Sequence, residues 1–197
     1  MSSAPSTPAP PQTVWNVPNR ITLARLILAI ALFVMLPFKM YSAGMIVFLI
    51  AAGTDWVDGY WARKYGQVTK LGRVLDPFVD KVIICGAFIY LAAIQDSGIA
   101  AWMAVIVVAR ELLVTALRSF LEGEGADFSA QMSGKLKMVL QCAAVTASML
   151  ALSYGDINER PQWVATGLQI CVWGAVALTI YSGAEYVRRA IALASNR

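Results

Sequence analysis

Asp55, Asp58, Asp76 and Asp80 stand inside or at the lip of strongly apolar stretches, and their spacing is helical. The first pair is spaced i, i+3 and the second i, i+4. Gly59, Ala62 and Arg63 follow the first pair, and Gly72 lies four residues before Asp76. On helices, separations of three or four put side chains on one strip. An ionised carboxylate in an apolar membrane segment costs about 2.5 to 3.5 kcal/mol even on the lenient insertion scale, so four in one short stretch need a compensating partner. A divalent cation is the obvious one. Crowded carboxylates oppose each other's ionisation, and a hard dication reverses that balance. Ligands that are all oxygen favour Mg²⁺ or Mn²⁺, with Ca²⁺ as a substitute. Such a centre suits phosphoryl chemistry, because it clamps phosphate oxygens and neutralises charge as a leaving group departs. Glycines beside the carboxylates let a large substrate approach the backbone, and Arg63, one turn past Gly59, presents a planar fork to a diphosphate.

These residues need helices to hold them, and the chain supplies apolar ones. It has 197 residues, 58% of them hydrophobic and 14% charged, a balance too apolar for a soluble domain of this size. Six stretches, 21–38, 44–64, 71–94, 99–120, 136–154 and 163–186, each approach the roughly 20 residues of a spanning helix. The expected fold is all-α: a polytopic membrane protein with six transmembrane helices joined by short links. Residues 1–13 (MSSAPSTPAPPQT) lack a basic segment followed by an apolar core, so they read as a disordered Ser/Pro-rich tail rather than a signal peptide. Residues 14–190 form the expected membrane domain, and 191–197 a short C-terminal tail. Of the Lys and Arg residues only Lys39 and Arg160 fall toward one face, and the other fourteen fall toward the opposite face. The positive-inside bias puts both termini and the aspartates on the cytoplasmic side.

The +4 formal charge fits that topology and an anionic substrate. Nucleic acid is excluded, because no basic run interleaves with aromatics as a strand-binding groove requires. Cys85, Cys142 and Cys171 lie in apolar spans without CxxC or CxxH spacing and read as small buried hydrophobes. The chain has no histidine, which removes Ser/His/Asp and Cys/His triads and every histidine metal site. Acid and base work falls to Asp, Glu, Lys, Tyr or water.

The link between the second and third spans is short, which predicts antiparallel neighbours whose polar ends meet at one membrane face. The four carboxylates then converge. Gly59 and Gly72 alone would read as small-residue helix contacts. Four aspartates, two glycines and an arginine in helical phase have no comparable structural explanation.

The run Asp55-Trp-Val-Asp58-Gly59-Tyr-Trp-Ala62-Arg63, eight residues, Gly72, three residues, Asp76, three residues, Asp80 resembles the DxxDGxxARx8Gx3Dx3D motif of the CDP-alcohol phosphotransferases at every position. That resemblance implies a six-helix membrane enzyme, usually a homodimer, that moves a substituted phosphoryl group from a CDP-alcohol to an acceptor alcohol and releases CMP. It also implies that Asp55, Asp58 and Asp76 hold one or two Mg²⁺ or Mn²⁺ ions, with Asp80 as general base and a further metal ligand. Asn19 to Thr22, with Gly59, Arg63, Thr69 and Gly72, look like the family's nucleotide and diphosphate contacts. Asp80 starts as a carboxylate near metal, so the metal must help acidify or orient the alcohol for so weak a base to work.

The acceptor is set elsewhere. Arg110 and Glu111 lie in the fourth span, Arg118 two turns on, and Lys135 and Lys137 open the fifth around Ser133-Gly134. Four cations near one face suggest a pocket for a phosphate-bearing acceptor. Arg118, Lys135 and Lys137 equally suit interfacial anchoring, whereas Arg110 is too deep for it. The runs at 16–25, 109–111, 116–118 and 133–137 resemble the glycerol-phosphate branch of the family, and the likeness spans roughly 16–187. The Ser/Pro-rich tail and Met138, where a small polar residue is expected, depart from it. This branch implies CDP-diacylglycerol as donor, sn-glycerol 3-phosphate as acceptor, membrane lipids as surroundings, and a bacterial inner membrane with the site facing the cytoplasm. A sister transferase using inositol phosphate, serine or another phospholipid is the rival reading, and a carboxylate-lined cation transporter the rival from another class.

Overall fold

The computed structural model describes the backbone of residues 17–65, 70–123 and 132–195, and the side chains of residues 19–54, 75–119 and 136–193. Among the described residues there are six α-helices and no strand: α1 (Val17–Met35), α2 (Tyr41–Tyr65), α3 (Lys70–Ala92), α4 (Ala101–Gly123), α5 (Met132–Leu152) and α6 (Gln162–Ser195). A 3₁₀ turn, Ile157–Glu159, sits between α5 and α6. The shortest helix has 19 residues, about 28 Å of rise. The expected tail at 1–13 lies outside the described residues.

Helix ends differ from the apolar runs for local reasons. The first run reads to residue 38, but α1 stops at Met35, because the residue before Pro37 is steered away from helical backbone. Lys39 then takes a left-handed φ of 58° to turn the chain into α2. The last run reads to residue 186, but α6 continues through Ser195, past the point where the C-terminal tail was expected to begin. Its final turns are supported by the Glu185 to Arg189 pair at i, i+4 and 3.4 Å.

Contacts between helices give their relative directions. Thr22, Arg25 and Phe33 of α1 meet Asp76, Asp80 and Tyr90 of α3 in the same order, so these two helices run parallel. Arg110 and Arg118 of α4 meet Ser182 and Tyr186 of α6, again in parallel. By contrast, Arg25 approaches Ala51, and Leu32 approaches Gly44, so α1 and α2 are antiparallel. α1 packs on both α2 and α3, whereas α2 and α3 make little direct contact among the described residues. The sequence predicts that the polar ends of these two meet, and the side chains at those ends lie outside the described residues. Close approach of α1 to α3 depends on Gly86, where an added Cβ would fall 2.2 Å from the Phe33 ring.

Among the described residues the inner faces of α1, α3, α4, α5 and α6 change character along their length. On α1 the buried stripe is Thr22, Arg25, Ala29, Leu32, Leu36, polar at the N-terminal end and apolar beyond. On α3, Asp76 and Asp80 are followed by buried Ile83, Ile84, Ala87, Phe88 and Leu91. α4 runs the other way, from buried Met103, Ala104 and Val107 to Arg110 and Glu111, and α6 passes from Leu168 and Val172 to Thr179, Ser182 and Tyr186. α5 begins with buried Lys137 and Gln141 before its apolar turns. Because successive helices reverse direction, every polar end arrives at the same end of the bundle. The opposite end is apolar inside and is closed by its links, with Arg160 donating to the Asp96 carbonyl at 3.2 Å.

The outer surface is as apolar as the core. Leu23, Ile27, Ile30 and Val34 of α1, Val105 and Leu112 of α4, and Ile170, Trp173 and Ile180 of α6 all point outward. Soluble monomers rarely expose so continuous an apolar surface. Over Gln162–Leu193, α6 is long and apolar enough to cross a membrane, and Tyr41–Thr54 and Leu136–Leu152 are shorter apolar helices among the described residues.

Candidate active site

The polar end of the bundle holds two groups of charged side chains. The first lies where α1 meets α3. Thr22, 2% exposed, donates its hydroxyl to Asp76 Oδ1, and Arg25 donates through Nη2 to Asp80 Oδ1. Arg25 also donates through Nε to the Ala51 carbonyl of α2 at 3.1 Å. Asp76 and Asp80 are half-buried and stand one turn apart on α3. Pro77 lies between them and cannot donate a backbone hydrogen bond, a usual source of a local bend. Lys81 is turned aside and donates to the Pro77 carbonyl at 3.1 Å.

The remaining expected members of this site fall where less is described. Asp55, Asp58, Gly59 and Arg63 are in the last turns of α2 and Gly72 in the first turn of α3, but their side chains lie outside the described residues. Thr69 lies outside them altogether. Asn19 is on α1, one turn before Thr22 and on the same side of that helix.

The carboxylates suit a hard divalent cation on the chemistry of their oxygen donors. Asp76 and Asp80 are on one stripe, and each is already oriented by a donor from α1. Arg25 offsets part of the negative charge, and a cation would have to offset the rest.

The second group lies between α4, α5 and α6. Glu111 accepts from Lys137 of α5 and, at 3.5 Å, from Nη1 of its neighbour Arg110. All three are buried. Arg110 is held further by Nε donating to Ser182 Oγ at 3.2 Å and by the face of Tyr186, 5.4 Å from its Cζ. Behind it the polar chain continues, with Ser182 donating to the Thr179 carbonyl at 3.2 Å and Gln141 to the Thr179 hydroxyl at 3.1 Å. Arg118, two turns along α4, donates to the Tyr186 hydroxyl at 3.3 Å, and its buried Nε has no partner among the described residues. Lys135 opens α5, with its side chain outside the described residues.

Sequence reasoning placed Arg25 among the cytoplasmic cations and in the 16–25 run, and gave neither it nor Glu111 a role in the site. Arg25 is on the same stripe as Thr22, three residues on, and an arginine on a stripe that continues into alanine and leucine faces the bundle interior. That signal was readable. Tyr186 and Ser182 carried none, because an aromatic or hydroxyl residue in a membrane helix is ordinary. The three cysteines are free and half-buried rather than buried.

The family model described as CDP-alcohol phosphatidyltransferase matches residues 15–181. The chain belongs to that family. The match takes in the DxxDGxxAR segment, both α3 aspartates, and Arg110, Glu111 and Lys137. Among family members, the CDP-diacylglycerol–glycerol-3-phosphate 3-phosphatidyltransferase of Bacillus subtilis is 38% identical over 188 residues, covering 88% of this chain and 94% of the relative. The protein of the same name from Escherichia coli K12 is 33% identical over 183 residues, 89% of this chain and 95% of its own. The Sodalis glossinidius protein, also so named, is 35% identical over 179 residues, 87% and 93% of the two chains. The likeness thus extends over nearly the full length of those relatives.

Proposed function

We propose that this protein transfers the phosphatidyl group of CDP-diacylglycerol to sn-glycerol 3-phosphate, yielding phosphatidylglycerophosphate and CMP. The observation that carries the reading is the identity of 33–38% over about nine-tenths of the chain with relatives that bear this activity in their names. The arrangement of charged groups at one end of the bundle supports it. A donor diphosphate has carboxylates and Arg63 at the α2–α3 side, and an acceptor phosphate has cations at the α4–α5–α6 side.

In this reading the acceptor hydroxyl loses its proton to Asp80, and its oxygen attacks the phosphorus attached to diacylglycerol. The bond from that phosphorus to the bridging oxygen breaks, and CMP leaves with the electron pair. Asp55, Asp58, Asp76 and Asp80 would hold Mg²⁺ or Mn²⁺, one or two ions, which supplies charge neutralisation on the diphosphate. Thr22 and Arg25 orient Asp76 and Asp80. Asn19, Gly59, Arg63, Thr69 and Gly72 serve the donor nucleotide and diphosphate. Arg110, Arg118, Lys135 and Lys137 hold the acceptor phosphate, with the buried Arg118 Nε left without a partner among the described residues.

All six helices span the membrane in this reading, and residues 14–190 act as one membrane domain. The outward-facing leucines, isoleucines and tryptophans support that placement. The bias of Lys and Arg along the sequence, fourteen against two, supports a cytoplasmic site and cytoplasmic termini in a bacterial inner membrane, with the enzyme working as a homodimer. The purified protein, reconstituted with CDP-diacylglycerol, should release CMP only when glycerol 3-phosphate and a divalent cation are both supplied. Ion flux in vesicles lacking CDP-lipid, with no CMP release, would instead indicate a transporter.

A further inference from the structure

Arg25 is among the largest fully buried side chains, 1% exposed, and it touches two helices besides its own. Nε donates to the Ala51 carbonyl of α2 and Nη2 to Asp80 of α3. Ala51 stands one helical turn before Asp55. Among the described residues α1 packs on both α2 and α3, so it links the two helices that carry the carboxylates. On α1, Arg25 is the side chain seen to reach both. A guanidinium carries its donors in a fixed plane, so engaging two helices at once defines distance and direction together, which an ammonium on a flexible stem does not.

We propose that Arg25 is a positioning residue, which holds Asp80 in register with the Asp55–Asp58 end of α2. The proposal rests on reading Asp80 as base and metal ligand. Burying a guanidinium is costly unless its donors are satisfied, and here they are satisfied by the group that the reaction uses and by the backbone leading to the other carboxylates. Thr22 makes the parallel contact to Asp76, through its one hydroxyl donor.

The test compares the full-length purified protein with Arg25→Lys, Arg25→Met and Asp80→Asn. Lysine keeps the charge but cannot span Ala51 and Asp80 with one rigid group. At saturating CDP-diacylglycerol and glycerol 3-phosphate, Arg25→Lys should turn over on the order of 10- to 100-fold more slowly, with both KM values within about twofold of the parent. Mn²⁺ binding without substrates, read by electron paramagnetic resonance, should weaken with its stoichiometry unchanged. A packing role alone predicts that turnover and the number of Mn²⁺ sites fall together while the surviving sites keep their affinity. Parental turnover and Mn²⁺ affinity in Arg25→Lys would overturn the proposal, as would a KM effect with kcat unchanged. Should Arg25→Met fail to fold, the lysine variant decides. Retained turnover in Asp80→Asn would remove the base assignment separately, leaving Mn²⁺ affinity in Arg25→Lys to judge the positioning role.

Discussion

Glu111 of α4 and Lys137 of α5 form a buried ion pair that joins two helices connected by a link of eight residues, 124–131. Arg110 shares the same carboxylate. One acid thus gathers two of the four cations expected to bind the acceptor phosphate, and it fixes where they stand. Breaking a buried pair by removing one partner costs about 3–5 kcal/mol, whereas removing both costs far less. Glu111→Gln should therefore lower thermal stability in detergent markedly, because it leaves two buried cations without their carboxylate, and Glu111→Gln with Lys137→Met should recover part of that loss. The double variant should still bind glycerol 3-phosphate poorly. A double variant no more stable than Glu111→Gln would contradict the pairing.

Arg118 makes a different prediction. Its contact with Tyr186 leaves Nε buried without a partner among the described residues, an arrangement that a bound anion would complete. Arg118→Ala should raise the KM for glycerol 3-phosphate about 10- to 100-fold, as expected for loss of a charge-assisted pair of about 1.5–3 kcal/mol. The KM for CDP-diacylglycerol should stay near its original value. Initial-rate kinetics with each substrate varied in turn separates the two, and equal changes in both would remove Arg118 from the acceptor pocket.

Asp80→Asn should abolish turnover while the protein still folds and elutes as the parent does. The amide keeps the size of the side chain and an acceptor oxygen for Arg25 but cannot take the acceptor's proton. CMP release near the parental rate would show that another group serves as base.

Chelation should act on the carboxylate site and leave the bundle standing. Treatment with EDTA should stop CMP release, and Mg²⁺ or Mn²⁺ should restore it, because the expected ligands are all hard oxygens. Activity that survives exhaustive chelation would contradict a metal role for Asp55, Asp58, Asp76 and Asp80.

Gly86→Ala probes the fold away from the chemistry. The new Cβ would meet the Phe33 ring at 2.2 Å, and over-filling of this kind costs about 1–3 kcal/mol. Pairing it with Phe33→Leu should return part of the stability in thermal unfolding, and an unaltered melting curve for Gly86→Ala alone would show that the two helices can part freely there.

Much of this was legible in the chain. The carboxylate stripe could be read because its members share helices, and spacing within one helix reports the face on which they stand. The inner faces of α1 and α4 could be read in the same way, from charged positions that continue apolar stripes. Spacing says nothing, however, about what an adjacent helix brings to that face. The partnership of Arg25 with Asp80, and of Glu111 with Lys137, joins residues 55 and 26 positions apart and emerges only from packing. The short α2–α3 link suggested direct neighbours, because loop length limits how far two helix ends can separate. It does not prevent a third helix from lying against both along the rest of their lengths.

Product identity tests the central claim most directly. Purified protein with CDP-diacylglycerol, Mg²⁺ and an equimolar mixture of glycerol 3-phosphate, inositol phosphate, serine and phosphatidylglycerol should yield phosphatidylglycerophosphate as the dominant lipid by mass spectrometry, with one CMP released per product. A dominant product carrying inositol phosphate, serine or a second phospholipid would contradict the acceptor assignment, and no CMP at all would contradict the transferase itself.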